Sequence, residues 1–486
     1  MKSLFAAAFL FFVAAGAHAA AIGYDGARHL LNRTGFGATD AEIRDYAALE
    51  RGEAVERLLS GARREASVAP PAFVSDPFTP YYKLRQMSAE ERMAAQRKLV
   101  QQGFELRAWW LREMLFSPSP LTEHMTLFWH NHFATSQQKV RVSSLMYRQN
   151  ALLRREALGN FATMLRAIAK DPAMLVYLDN AGSRKQAPNE NFAREVMELF
   201  TLGEGHYGEA DVKEAARAFT GWSLDRETGE FTYRRMWHDF GDKTVLGRSG
   251  RLDGDDVLGI LLARPETAQF IAAKVWREFV SPLPDLKEVA RWAATFRGAG
   301  YEVKPLLKAA LTSDAFWSKE NRAALIKSPV DLVVGTLRTF GIHPFDLRPA
   351  VFACAVLGQN PLSPPNVKGW PGGDAWINSA TLLGRKQWLD RVFRGTDPMV
   401  AVNVAARDDD GQGQGPEQRL RRMMERGMAS YGFDAAAFAQ SLGGRVDRER
   451  LEQLALAMPA VNRPGADLDD AERIRAFVAD PAYQLK

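Results

Sequence analysis

Three of the eight histidines in the sequence fall within nine residues, at His124, His130 and His132. Imidazole changes charge near neutral pH and is the commonest nitrogen ligand of protein-bound metals, so this density points to acid/base chemistry or to an ion. On an ideal helix His130 and His132 point about 160° apart and cannot share one ion. If the helix ends near Trp129 and His130 to His132 is extended, both imidazoles fall on one face. His130 and His132 are then candidate ligands of a divalent metal, a possible cofactor. The competing reading makes them amphipathic histidines, hydrogen-bonded where helices pack. A second group lies in the run from Asn189 to Gly203. On a helical wheel with Asn191 at the origin, Glu195 lies near about +40°, Glu198 near about −20° and Arg194 near about −60°. Phe192, Val196, Leu199 and Phe200 take the other side. Glu195 and Glu198 are candidate catalytic carboxylates or ligands, with Arg194 keeping one of them ionised and binding negative charge. An ordinary surface helix with an Arg194 to Glu198 ion pair has the same pattern. Both carboxylates share one helix and cannot flank a glycosidic bond without a partner from elsewhere.

Three further segments carry chemistry-bearing residues. In Trp237 to Gly247, His238 is a candidate acid/base beside Asp239, and Lys243 a candidate binder of anionic substrate, unless the segment is simply a turn held by Asp239 and Asp242. In Pro364 to Asn378, Trp370 and Trp376 stand among prolines and glycines, either as a substrate-covering aromatic loop or as plugs in the core beneath it. Near the N-terminus, His29 and Arg33 sit one helical turn apart before Gly35 and Gly37, and Arg33 joins the candidate substrate-binding cations.

The elements that must position these residues are helices. Apolar residues recur three and four apart in Glu105 to Phe116, Leu121 to Phe133, Ser143 to Ala157, Asn191 to Leu202 and Ala210 to Phe219. Strand signals are confined to Phe231 to Tyr233 and Thr244 to Leu246, which predict a short hairpin-like excursion. The expected fold is mainly α: a large irregular helical domain over 20–405 with long ordered loops, a flexible linker at 406–417 and a small helical appendage over 418–486. With 46% hydrophobic and 25% charged residues, the 486-residue chain can bury a sizeable core, which excludes a mainly disordered protein. A formal charge of +5 over this length gives no argument for nucleic-acid binding.

Residues 1–19 read as a cleaved signal peptide: Lys2, an apolar run from Leu4 to Ala15, then Ala17, His18 and Ala19 in the small-x-small pattern. The run is shorter than the roughly 20 residues that span a bilayer, so a periplasmic or secreted protein with no stable membrane span is expected. The one cysteine, Cys354, excludes an intramolecular disulfide and, within an apolar run, reads as core rather than nucleophile.

In order along the chain, His29 to Gly37, Phe128 to Phe133, Asn189 to Gly203 followed by Ala215 to Trp222, His238 to Gly247 and Pro364 to Ser379 resemble the DUF1800 family of large exported bacterial proteins. The resemblance extends to Asp480 to Leu485. It implies a helical fold, no established reaction, and genomic pairing with a second exported family, DUF1501, which looks like the alkaline phosphatase and sulfatase group. It also implies a departure, since many relatives carry His where this chain has Phe200. Two functions are compatible with these residues. One is a metal-assisted hydrolase acting on an envelope or extracellular polymer. The other is a non-catalytic binding or assembly partner of a DUF1501-like protein. Convergence of the histidines and glutamates on one open pocket separates them.

Overall fold

The computed structural model describes residues 20–394, 431–444 and 446–486. The predicted leader and the linker at 406–417 lie outside the described residues. The helices follow the apolar periodicity: Ala89–Phe116, Pro120–His132, Ser143–Glu156, Glu190–Met197 and Glu209–Ala218 cover the expected segments. Side-chain caps mark many of their starts, as where Ser88 accepts from the Glu91 amide and Asn189 from the Phe192 amide. Strands are limited to two antiparallel hairpins. The expected single excursion is in fact two: Phe231–Tyr233 pairs with Trp222–Leu224, and Lys243–Val245 with Arg248–Gly250. Alternating β-branched runs are too short to join them into one sheet.

At the centre lies Pro120–His132, the histidine helix. Proline at its first position is pre-set for helical φ and lacks an amide that would go unbonded. Every residue from Leu121 to His130 is buried, so this helix has no solvent face. Most of the polar side chains on it are accordingly paired by other segments. Glu123 receives two bonds from Arg154, at 2.6 and 2.8 Å, and one from Trp110 Nε1 at 3.0 Å. This draws Ala89–Phe116 and Ser143–Glu156 against it. Burial opposes the Arg154 charge, but Glu123 outweighs it and holds the guanidinium above its ordinary range. Trp129 Nε1 donates to the Ala157 carbonyl at 2.9 Å, fixing the far end of the second helix.

After Glu190–Met197 the chain widens into a π turn, Glu198–Leu202, in which the Gly203 amide reaches the Glu198 carbonyl five residues back. Thr201 Oγ1 bonds the Val196 carbonyl at 2.8 Å, satisfying an acceptor that the wider turn releases. The C-terminal helices Ala435–Ser441, Arg448–Ala455 and Asp470–Ala479 are tied to the body by long-range contacts. Arg28 donates to the Gln453 carbonyl at 2.6 Å, and Arg450 pairs with Asp40 at 2.7 Å. Leu485 bridges Ile326, and Lys486 pairs with Asp331 at 2.8 Å with both side chains buried. Cys354 is fully buried, and desolvation pushes its thiol up. None of the described helices is long and apolar enough to cross a membrane.

Replacing Glu123 by Gln strands the Arg154 cation in a site where both side chains are 1% exposed. The expected loss of unfolding free energy is about 3 to 5 kcal/mol, whereas a paired apolar replacement of both residues costs much less. Denaturant titration of the two variants checks this.

Candidate functional site

A cavity of about 430 Å³ opens between the histidine helix, the helix Pro265–Phe279, the tryptophan loop and Lys486. Lys274, Arg277 and Glu278 reach it from Pro265–Phe279. Spacings of three and four residues place all three on one helix face. Opposite them stand His124, Phe128, Asn131 and His132, with Lys368, Trp370 and Trp376 on the loop and Asp331 and Lys486 at the back.

Its polar wall is built from paired groups. The Phe200 carbonyl accepts from His132 Nε2 at 3.2 Å, which leaves Nδ1 unprotonated. That lone pair accepts from Lys274 Nζ at 3.0 Å. Desolvation, reinforced by Lys274, holds His132 well below its ordinary pKa and keeps it a neutral acceptor. Lys274 makes no carboxylate ion pair among the described residues. Burial, with the charge of Arg277 added, lowers its pKa to about 8.

Glu278 Oε1 accepts from His124 Nε2 at 2.7 Å, and His124 Nδ1 is left buried without a partner. Burial disfavours the Glu278 charge, but His124 and, behind it, Lys486 outweigh this and hold the carboxyl below its usual range. Asp331 is likewise held ionised against burial, by Lys486 and His124 and by a bond from the Ser328 amide at 3.0 Å.

The tryptophan loop is pinned to the histidine helix by Asn131, whose Oδ1 accepts from the Trp370 amide at 2.7 Å. That approach requires glycine before it. Gly369 has φ +85°, and a Cβ there would lie 2.2 Å from Asn131 Oδ1. Trp370 and Trp376 are buried walls of the cavity, so they shape it more than they offer a ring face.

Of the residues singled out in the sequence, the cavity thus gathers His124, His132, Trp370 and Trp376. His130 does not join them. The helix continues through His132, without the break that would have set both imidazoles on one face. The His130 ring is fully buried between Trp110 and Trp370, with centroids 5.6 and 5.7 Å away and both nitrogens unpaired. Among the described residues no group of three or more His, Cys, Asp or Glu side chains is arranged to hold a metal ion.

Glu195 and Glu198 are half-buried and stand outside the cavity lining, so the convergence of histidines and glutamates that would have favoured the metal-assisted hydrolase does not occur. Burial and the charge of Glu198 push Glu195 up, and Tyr207 donates to Glu198. Lys368, on the cavity rim, is paired with Glu204 at 3.1 Å and interacts electrostatically with both. Arg194 is engaged by Glu209, at 2.7 and 2.8 Å, rather than by Glu198.

His238 and Lys243 lie in a separate loop. His238 Nδ1 donates to the Thr220 carbonyl at 2.8 Å, and Lys243 bonds the carbonyls of Asp239 at 2.6 Å and Gly241 at 3.0 Å. Arg33 is fully buried and donates to the carbonyls of Phe279 and Val280, both at 2.8 Å, and of Asn321 at 2.6 Å. There it caps the C-terminus of Pro265–Phe279 instead of facing solvent. Lys274, Arg277, Glu278, Asp331 and Lys486 were missed by sequence reasoning. The one local signal was Lys274, Arg277 and Glu278 sharing a helix face.

The family model DUF1800, described as a protein of unknown function, matches residues 29–485. No curated protein and no solved structure matches the chain.

Because its folded-state pKa is lowered to about 8 from an ordinary 10.5, Lys274 binds its proton more weakly in the folded chain than in the unfolded one. Stability carried by this group therefore rises with pH between those two values. Stability measured against pH should show this rise in the wild type, and Lys274→Met should flatten it.

Proposed function

The chain belongs to the DUF1800 family, to which no function is attached, and we propose that it is an exported, hydrolase-like protein whose cavity receives an anionic group of its substrate. The observation that carries this reading is Lys274, a cation drawn into a cavity wall and held by a neutral imidazole instead of a carboxylate. Burying a charge without a counter-charge is costly, and a phosphate, sulfate or carboxylate between Lys274 and Arg277 would supply one. Export rests on the leader-like pattern of residues 1–19 and is part of the proposal.

Chemistry follows from the same helix face. Glu278, ionised and oriented by His124, is placed one residue beyond Arg277 and four beyond Lys274. In this role it takes a proton from water as the water oxygen bonds to the electrophilic centre of an ester. The bond to the leaving oxygen breaks, and that oxygen takes the proton back from Glu278 and departs as an alcohol, leaving the water oxygen on the acid product. Lys274 and Arg277 stabilise the negative charge that builds up on the substrate. Glu195 and Glu198, beyond Lys368, are proposed to face the part of a longer substrate that leaves the cavity.

Calorimetric titration with phosphate, sulfate and acetate tests the binding step, and a panel of phosphate, sulfate and carboxylic esters tests turnover. Lys274→Met should weaken anion binding about tenfold or more, the worth of one charged hydrogen bond. Glu278→Gln should keep binding and lose turnover. Wild-type affinity should fall as pH rises past the Lys274 value of about 8. Unchanged anion affinity in Lys274→Met would refute the reading.

A further inference from the structure

The first hairpin, Trp222–Leu224 with Phe231–Tyr233, runs into a turn at Arg235–Trp237 whose side chains serve no part of the cavity. Met236 is 84% exposed, Phe240 51% and Tyr233 44%. These side chains are presented by a rigid base. The buried His238 ring, held by its Thr220 bond, lies 5.6 Å from the Tyr233 ring and 4.8 Å from that of Phe240. Arg234 donates to Ser223 Oγ at 3.1 Å and to the Leu224 carbonyl at 2.9 Å, locking the turn to its hairpin. Gly221, at φ +85°, lets the Arg234 carbonyl pass where a Cβ would meet it at 2.9 Å.

Cations stand beside this apolar tip, and the two acids near Phe240 are already engaged, Asp239 by Arg217 at 2.8 Å and Asp242 by Arg251 at 3.9 Å. The Arg235 guanidinium lies 5.4 Å from the centre of the Phe240 ring. The Lys185 amide donates to the Trp237 carbonyl at 2.7 Å, which sets exposed Arg184 and Lys185 beside the tip. Among the described residues Arg184, Lys185 and Arg235 make no ion pair, although exposed arginines elsewhere on this surface do, such as Arg148 with Glu230. Exposed apolar side chains flanked by cations without ion pairs suit a layer of anionic phosphates over an apolar interior.

We infer that the tip formed by Tyr233, Met236 and Phe240, flanked by Arg184, Lys185 and Arg235, docks on an anionic phospholipid surface. Met236 and Phe240 enter the boundary between headgroups and acyl chains, and the cations meet the phosphates. His238 is a positioning residue of this surface. The docking is independent of what the cavity binds.

Sedimentation of the full-length protein with vesicles tests it. Vesicles containing phosphatidylglycerol should carry the protein down at low salt and release it at high salt, and phosphatidylcholine alone should not bind it. Substituting Arg184, Lys185 and Arg235 by Ala should weaken binding by about fivefold per cation. Met236→Ser combined with Phe240→Ser should weaken vesicle binding while leaving heparin binding unchanged. Thermal melts near the wild-type value would show that both variants are folded. The inference is overturned if phosphatidylglycerol vesicles do not bind the protein, or if phosphatidylcholine binds it equally. It is also overturned if the Met236 and Phe240 variant sediments like the wild type, which would reassign the tip to a soluble polyanion or a protein partner.

Discussion

A helix that is buried on every side yet carries Thr122, Glu123, His124, Thr126, His130 and His132 cannot stand alone. Each of those polar groups loses water on folding, and four of the six, Thr122, Glu123, His124 and His132, recover a bond from a different stretch of chain. Glu123 recruits Arg154 and Trp110, His124 recruits Glu278, His132 recruits the Phe200 carbonyl and Lys274, and the half-buried Asn131 recruits the Trp370 amide. The remaining architecture can be understood as the set of segments needed to satisfy this one helix. Thr126 bonds the Thr122 carbonyl of its own helix, and His130 is enclosed by aromatic rings with neither nitrogen bonded, where burial lowers its pKa to about 3.

The cavity grows from the same constraint. Pairing His124 and His132 with groups on Pro265–Phe279 holds two helices together at their polar residues rather than through a continuous apolar seam. Space remains where those residues meet. Its walls divide the charge unevenly: Glu278 and Asp331 are each committed to a partner, while Lys274 and Arg277 have no carboxylate among the described residues. A buried ion pair such as Asp331 with Lys486 contributes little net stability, but it fixes which segments lie side by side.

Helical class, helix positions and the buried state of Cys354 were legible because periodicity and burial are local properties. The tryptophan loop was recognisable as special, and its glycine at 369 has a physical reason in the close approach of Asn131. The site itself was only partly legible. His132 was found by density, whereas Glu278 was hidden in an ordinary helix and gains meaning only from His124, which lies 154 residues away. Arg33 misled because a cation reads the same whether it meets a ligand or three backbone carbonyls. The glutamates at 195 and 198 share a face as the wheel requires, but Arg194 turns to Glu209 on the following helix, a choice that spacing within one helix does not encode.

The pairing of residues 325–327 with 484–486 has a bearing on the order in which the molecule can assemble. The Lys327 amide meets the Gln484 carbonyl at 2.8 Å, the Lys486 amide meets the Leu325 carbonyl at 2.7 Å, and Arg28 meets a carbonyl 425 residues further on. Contacts spanning such distances close late, because the loop entropy is lost before they form. Asp331 therefore lacks the Lys486 ammonium, and residues 325–327 lack their backbone partners, until the segment 484–486 is in place. The back of the cavity is thus closed by a contact between segments 155 residues apart, and the site is complete only when both are in place.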